Sequence, residues 1–158
     1  MYSDGAHDNL DLPSKDWGDY MVSISIKARY AIAVLLKLAE LFEEEEPIQT
    51  RVLAQLCDVP QTYLEQVLNA LRRGGFIQSF RGSQGGYALA KQPDAIHVKA
   101  VLLFLEGPSD LAKGYSGCPS LKSFWGSVDE RLLESVDISL KDLLENKQRH
   151  KKMLTYQI

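Results

Sequence analysis

Two short stretches of the chain carry side chains whose types and spacing suit recognition of a nucleic acid. In the first, Gln61, Thr62, Tyr63, Glu65 and Gln66 lie opposite an apolar stripe of Leu64, Val67, Leu68 and Leu71. A helix that enters a major groove needs this split, with polar groups on its exposed N-terminal face and apolar ones behind. Gln can pair with adenine, Glu can accept from cytosine N4, and Thr and Tyr can reach phosphates. In the second stretch, Arg81 opens a turn, Gly82, Ser83, Gln84, Gly85 and Gly86, in which three of five residues are glycine. Such glycines let the backbone approach another surface and leave amides for phosphate, and an arginine there suits a narrow minor groove. From Arg72 to Lys91 there are four basic residues (Arg72, Arg73, Arg81, Lys91) and no acidic one, against a net charge of −3 for the whole chain. The candidate DNA contacts are therefore Gln61, Thr62, Tyr63, Glu65, Gln66, Arg72, Arg81, Ser83, Gln84, Gly85 and Gly86.

The elements that position these residues follow from periodicity. Ile26, Tyr30, Val34, Leu38 and Leu41 recur at helical spacing and predict a first helix from about Ser25, stopped by the run Glu43 to Glu46 and by Pro47. Thr50 is a plausible N-cap for a short helix carrying Val52, Leu53 and Leu56, which Asp58, Val59 and Pro60 break. A second helix runs from Gln61 to Arg73 and ends at Gly74 and Gly75, so the pair forms a helix-turn-helix. Phe76–Phe80 and Tyr87–Ala90 predict two strands of a hairpin around the glycine turn. A fourth helix spans about His97–Glu106, and a long one begins near Ser120. On the long helix Leu121, Phe124, Trp125, Val128, Leu132 and Val136 form a stripe that a small domain has little core to cover, which reads as a dimer interface; the alternative is that the helix folds back on its own first helix, and different faces can serve both. A last helix from Ser139 carries Leu140, Leu143 and Leu144 and ends in the basic tail KQRHKK. The expected fold is mainly α with a small β-hairpin wing, a winged helix-turn-helix plus a long C-terminal dimerisation helix.

Composition sets the remaining bounds. With 158 residues, 45% hydrophobic and 25% charged, the chain reads as one globular domain with an arm. Residues 1–21 are acidic, with five aspartates in the first twenty, and read as a disordered tail; Met21 is a second candidate start, which would make the tail a start-site artefact. Nothing reads as a signal peptide or membrane span, no membrane partner is expected, and the expected location is a reducing cytoplasm. Cys57 and Cys118 are too few for a disulfide scaffold or a paired-cysteine zinc site, and no metal site is expected. Cys57 reads as a small core residue; His97 and His150 read as surface or structural histidines. No nucleophile–base pair is visible, and the glycine turn lacks the Lys and Ser/Thr of a phosphate-binding loop, so no enzyme activity is expected. A protein-docking winged module is the alternative of another class, and the acid-free basic run argues against it.

The segments KARYAIAVLLKLA, VPQTYLEQVLNALRRGGFIQSFRGSQGGYAL and IHVKAVLLFLEGP resemble the Rrf-two family of bacterial winged helix-turn-helix transcription regulators over about residues 22–145. The resemblance implies a homodimer that binds a palindromic DNA operator, with residues 22–107 as the DNA-binding domain and residues 120–158 as dimerisation helix and tail. It places Arg81 on the family's minor-groove wing arginine and Glu65 on a recognition-helix glutamate that biases operator choice in iron–sulfur members. Many members ligate an iron–sulfur cluster through three cysteines in the loop corresponding to residues 108–119. Here that loop holds only Cys118, with residues around Glu106 and Ala112 at the other positions, and Lys27, Arg29 and Ala33 stand where relatives draw ligands from the partner's first helix. A cluster normally needs four ligands. The expectation is a regulator without the cofactor; the alternative is an iron–sulfur or thiol sensor with atypical ligands, Cys118 among them and Glu106 or Asp110 as candidates. The remaining routes to regulation are a partner protein, an effector ligand in the cleft beside the long helix, or oxidation of Cys118, whose thiol Lys113 and Lys122 would activate; the favoured reading of Cys118 is a remnant that packs against Trp125.

Overall fold

The computed structural model describes residues 24–155 except positions 45, 109, 112, 114 and 115. The expected acidic tail lies outside the described residues. The elements run α1 (Ile26–Glu40), α2 (Thr50–Cys57), α3 (Gln61–Arg73), β1 (Ile77–Phe80), β2 (Gly86–Leu89), α4 (Val98–Glu106), α5 (Pro119–Ser135) and α6 (Leu140–Thr155), with short 3-10 turns at Phe42–Glu44 and Pro93–Ala95. This is the predicted mainly helical winged fold. No helix among the described residues is long and apolar enough to cross a membrane.

α1 is the spine. Ser25 caps it, its hydroxyl accepting from the Ala28 N–H at 3.2 Å. Its buried face is Ala28, Ala31, Val34, Leu35, Leu38 and Ala39, whereas Ile26, which the sequence stripe included, is 62% exposed. The alanines turn the buried face away from Ile26 and let neighbouring helices approach closely. α2, α3, α4, α6 and β2 all pack on α1. Leu53 from α2, Leu64, Val67, Leu68 and Leu71 from α3, and Val101 from α4 are fully buried in that core.

The helix-turn-helix is built as expected, with one change. Thr50 is the first residue of α2 and Gln49 is its cap, without a side-chain capping hydrogen bond. Asp58 takes the left-handed conformation at φ 52°, and its N–H bonds Ala54 and Gln55 carbonyls to end α2. Pro60 then starts α3, where a missing N–H costs nothing. β1 and β2 pair antiparallel with Ile77 opposite Leu89 and Phe80 opposite Gly86. A single residue upstream of α2, Ile48, adds to the outer edge of β2 by exchanging two hydrogen bonds with Tyr87, at 2.8 and 2.9 Å.

The C-terminal segment departs from the division at residue 120. α5 buries none of its residues in the domain. Beyond it the chain returns to the core: Leu140 is fully buried, and Val136, Ile138, Leu143 and Leu144 pack against the same cluster. The Leu140 and Val98 N–H groups bond the Ile96 and Ile138 carbonyls, each at 2.9 Å. Nearby, His97 Nδ1 lies 2.8 Å from Asp137 and Lys99 3.2 Å from it, and these two partners hold the Asp137 carboxyl below its ordinary value. Thus the winged domain is completed by residues 136–144, and Val136, expected on the dimer face, is half-buried on the domain's own core. Leu140→Ala is expected to destabilise the winged domain by about 2–5 kcal/mol, as for other buried leucines. Urea unfolding followed by circular dichroism measures it; a loss below about 1 kcal/mol would show that α6 is peripheral.

Candidate nucleic-acid interface

α3 presents a sharply divided surface. Its apolar stripe is buried, while Gln61, Thr62, Glu65, Gln66, Asn69, Arg72 and Arg73 are exposed. Pro60 provides no side-chain cap, so the first turn keeps N–H groups directed outward beside Gln61 and Thr62. Arg72 is steadied by Asn69, Nη2 to Oδ1 at 3.4 Å. Tyr63, expected on the DNA face, lies at its edge. Its ring is half-buried and packs edge-on against Tyr30 at 5.5 Å between centroids, so it braces α3 on α1.

The hairpin places Arg81, Ser83 and Gln84 at an exposed tip. Gly85 and Gly86 have a packing role that the sequence did not announce. Both are half-buried, and a Cβ on Gly85 would lie 2.4 Å from the Phe80 carbonyl oxygen, one on Gly86 2.4 Å from that of Ile48. Their missing side chains let the hairpin close on itself and on the strand edge before α2. Gln49 reinforces that seam, its Nε2 donating to the Ser83 carbonyl at 3.1 Å. A hollow of about 430 Å³ between Gln49, Thr50, Arg81 and Gly82 joins the wing to the start of α2. Gln49 and Thr50 escaped the sequence reading as site residues; Ile48 is one paired residue without periodicity, so nothing announced their position.

A second cavity, of about 380 Å³, lies between the α1–α2 connection and the wing, lined by Leu38, Phe42, Ile48, Gln78, Phe80 and Tyr87 among others. It is remote from the cleft beside the long helix in which an effector was expected.

Cys118 is the N-cap residue of α5 and is exposed. The Ser120 backbone N–H, then its hydroxyl and the Leu121 N–H, hold the thiol below its ordinary value; helix amides, and not the expected Lys113 and Lys122, do this. Cys57 is half-buried against the core, and burial pushes its thiol up. Glu106 is engaged by the Ser25 hydroxyl, and the Leu111 N–H ties the loop to Asp129 on α5 at 2.8 Å. Among the described residues no group of three or more His, Cys, Asp or Glu is placed to hold a metal ion. One loop thiol with a committed Glu106 does not fit the four-ligand requirement of an iron–sulfur cluster.

A polar recognition helix beside a cationic wing, both seated on a three-helix core, defines the winged helix-turn-helix class of DNA-binding proteins. Residues 24–148 match the Rrf2 family, described as an iron-dependent transcriptional regulator, and the chain belongs to that family. It is similar to the HTH-type transcriptional regulator CymR of Bacillus subtilis, 33% identical over 124 residues, 77% of this chain and 89% of CymR. It is also similar to the HTH-type transcriptional regulator IscR of Erwinia tasmaniensis, 32% identical over 133 residues, 79% and 80% of the two chains. The solved structure of CymR, the global cysteine regulator of B. subtilis, superposes with a TM-score of 0.72 at 31% identity, covering 80% of this chain and 98% of that one.

The two thiols should separate in alkylation by iodoacetamide followed across pH. Cys118 is expected to reach half-maximal rate below pH 9.0, its ordinary value, and Cys57 above it and more slowly. Peptide mass spectrometry resolves them; the reverse order would contradict the placement of Cys118 on the helix amides.

Proposed function

We propose that this chain is a sequence-specific DNA-binding transcription regulator that acts as a homodimer and carries no iron–sulfur cluster. The observation that carries it is the pairing of the exposed face Gln61, Thr62, Glu65 and Gln66 with the exposed Arg81, on elements locked together through Ile48 and Tyr87. α3 reads base edges, Arg72 and the first-turn amides hold phosphates, and Arg81 enters the neighbouring minor groove. The local excess of cations supports DNA over a protein-docking role for the same surface. The division of labour among these side chains is one of binding and not of catalysis.

The dimer reading rests on α5. Leu121, Phe124 and Trp125 are 47%, 52% and 36% exposed, the last two rings stacked edge-on at 5.0 Å, and Ile26 and Phe104 add further uncovered apolar surface. An apolar helix side of this kind suits a two-fold copy of itself, with Leu121, Phe124, Trp125, Val128 and Leu132 at the seam. Two recognition helices would then meet half-sites one or more helical turns apart.

Arg81→Ala is expected to weaken operator binding by about 1–3 kcal/mol while leaving the circular dichroism spectrum intact. Unchanged affinity in the folded variant would remove Arg81 from the interface. Light scattering at micromolar concentration should give twice the chain mass, and Trp125→Glu should give the monomer. Anaerobic purification should yield a colourless protein whose DNA affinity ignores iron chelation. A brown preparation with stoichiometric iron and sulfide, bleached by Cys118→Ser, would overturn the cluster-free reading.

A further inference from the structure

We propose that the last two turns of α6 form a second DNA contact, to backbone phosphates flanking the segment read by α3 and the wing. This rests on the DNA-binding reading above and extends it to a part of the chain that reading does not use.

The argument begins with the direction of α6. The Ser25 hydroxyl on Glu106 sets the end of α4 beside the start of α1. The Val98–Ile138 and Leu140–Ile96 hydrogen bonds set the start of α6 beside the start of α4. Lys147, halfway along α6, pairs with Glu40 in the last turn of α1. α6 therefore runs in the same sense as α1. It continues from Gln148 to Thr155 after α1 has ended, an overshoot of about 12 Å at 1.5 Å per residue.

The end of the molecule that α6 reaches is the one that carries the wing. α1 passes there into the connection whose Ile48 pairs with Tyr87 and whose Gln49 holds Ser83 at the hairpin tip. Cys57, the last residue of α2 before the turn into α3, lies close enough for its thiol to feel the charges of Lys37, Glu40 and Lys147 after the larger effect of burial. The overshooting turns thus extend past the end of α1 on the side of the wing, while the first turn of α3, whose Tyr63 packs on Tyr30 near the start of α1, lies away from them.

Their charge is one-sided. Lys147, Arg149, Lys151 and Lys152 fall within six positions, with His150 between them and no acidic residue. Lys147 is taken by Glu40, which Lys37 also contacts. Arg149 is exposed and its partner Glu145 is at 3.9 Å, the outer limit of an ion pair. His150 and Lys152 are exposed and form no ion pair among the described residues. A favourable interaction with the helix dipole accounts for one cation in the last turn, not for a run of them. Glu43, Glu44 and Glu46 are exposed on the α1–α2 connection at the same end and oppose a phosphate contact there, which limits the gain expected from the α6 cations.

The test uses the full chain and an operator selected by it from a random-sequence duplex library. Affinity is measured on that operator trimmed to its protected core and on one extended by about one helical turn at each end. Wild type is expected to bind the extended duplex about three- to tenfold more tightly at moderate salt. Arg149→Gln/Lys152→Gln should bind the trimmed duplex like wild type, which also shows that it is folded. It should forgo the gain from the flanks, and its salt dependence on the extended duplex should fall by about one unit of slope for each phosphate it no longer neutralises. An equal gain from the flanks in the variant, or none in wild type, overturns the inference and assigns these cations elsewhere. Failure to select any sequence overturns the DNA-binding reading itself and this inference with it.

Discussion

Everything in this domain is referred to α1, and α1 can serve that purpose because its inward face is built from small residues. Ala28, Ala31 and Ala39 let α2, α3, α4 and α6 come close, and Leu35, Leu53, Leu64, Leu68 and Leu140 share one core on a chain of modest size. A larger side chain at Ala31 would push apart helices that carry the DNA-facing residues. The recognition face is therefore set indirectly. Gln61, Glu65 and Gln66 point outward because Leu64, Val67, Leu68 and Leu71 have been drawn inward onto α1.

The wing is joined to this core by backbone contacts where Ile48 meets Tyr87 and Gly86. Two hydrogen bonds and a contact too tight for a Cβ hold hairpin and helix-turn-helix in one register. Arg81 is exposed, and the hairpin tip that carries it is tied to the start of α2 through Gln49 and Ser83. Such preorganisation reduces the entropy lost when both elements meet a duplex at once.

Much of this was legible in the sequence, for physical reasons that differ by element. α3 was readable to the residue because a proline, a leucine stripe and two glycines mark its start, side and stop. The hairpin strands were readable to within one residue because alternation is short-range. The true face of α1 was obscured because alanine carries little weight when large apolar residues are sought. The return of Leu140, Leu143 and Leu144 to the core could not be seen, since a short leucine stripe reads the same whether it meets its own domain or another chain. The packing of Tyr63 on Tyr30 is not legible, because periodicity fixes the stripe but not how far its edge extends. Nor is the packing role of Gly85 and Gly86, because one close neighbour, Ile48, is remote in sequence.

The way α5 is attached has a mechanical meaning. Its C-terminal end is fastened to the domain through Val136, the Asp137–His97 contact and the Ile138 and Leu140 hydrogen bonds, while towards its start the Leu111 N–H ties the preceding loop to Asp129, and Leu121, Phe124 and Trp125 stay exposed. A helix of 17 residues fastened to the core at its end is a lever of about 25 Å. Any body seated against its apolar side near Leu121 and Trp125 therefore acts at the long end of that lever, far from the fastening. A tilt of a few degrees at the pivot corresponds to a shift of an ångström or two at the tip, and the pivot rests on α4 and α6, which pack directly on α1. Movement at the far end of such a lever reaches the core as a smaller displacement at the pivot.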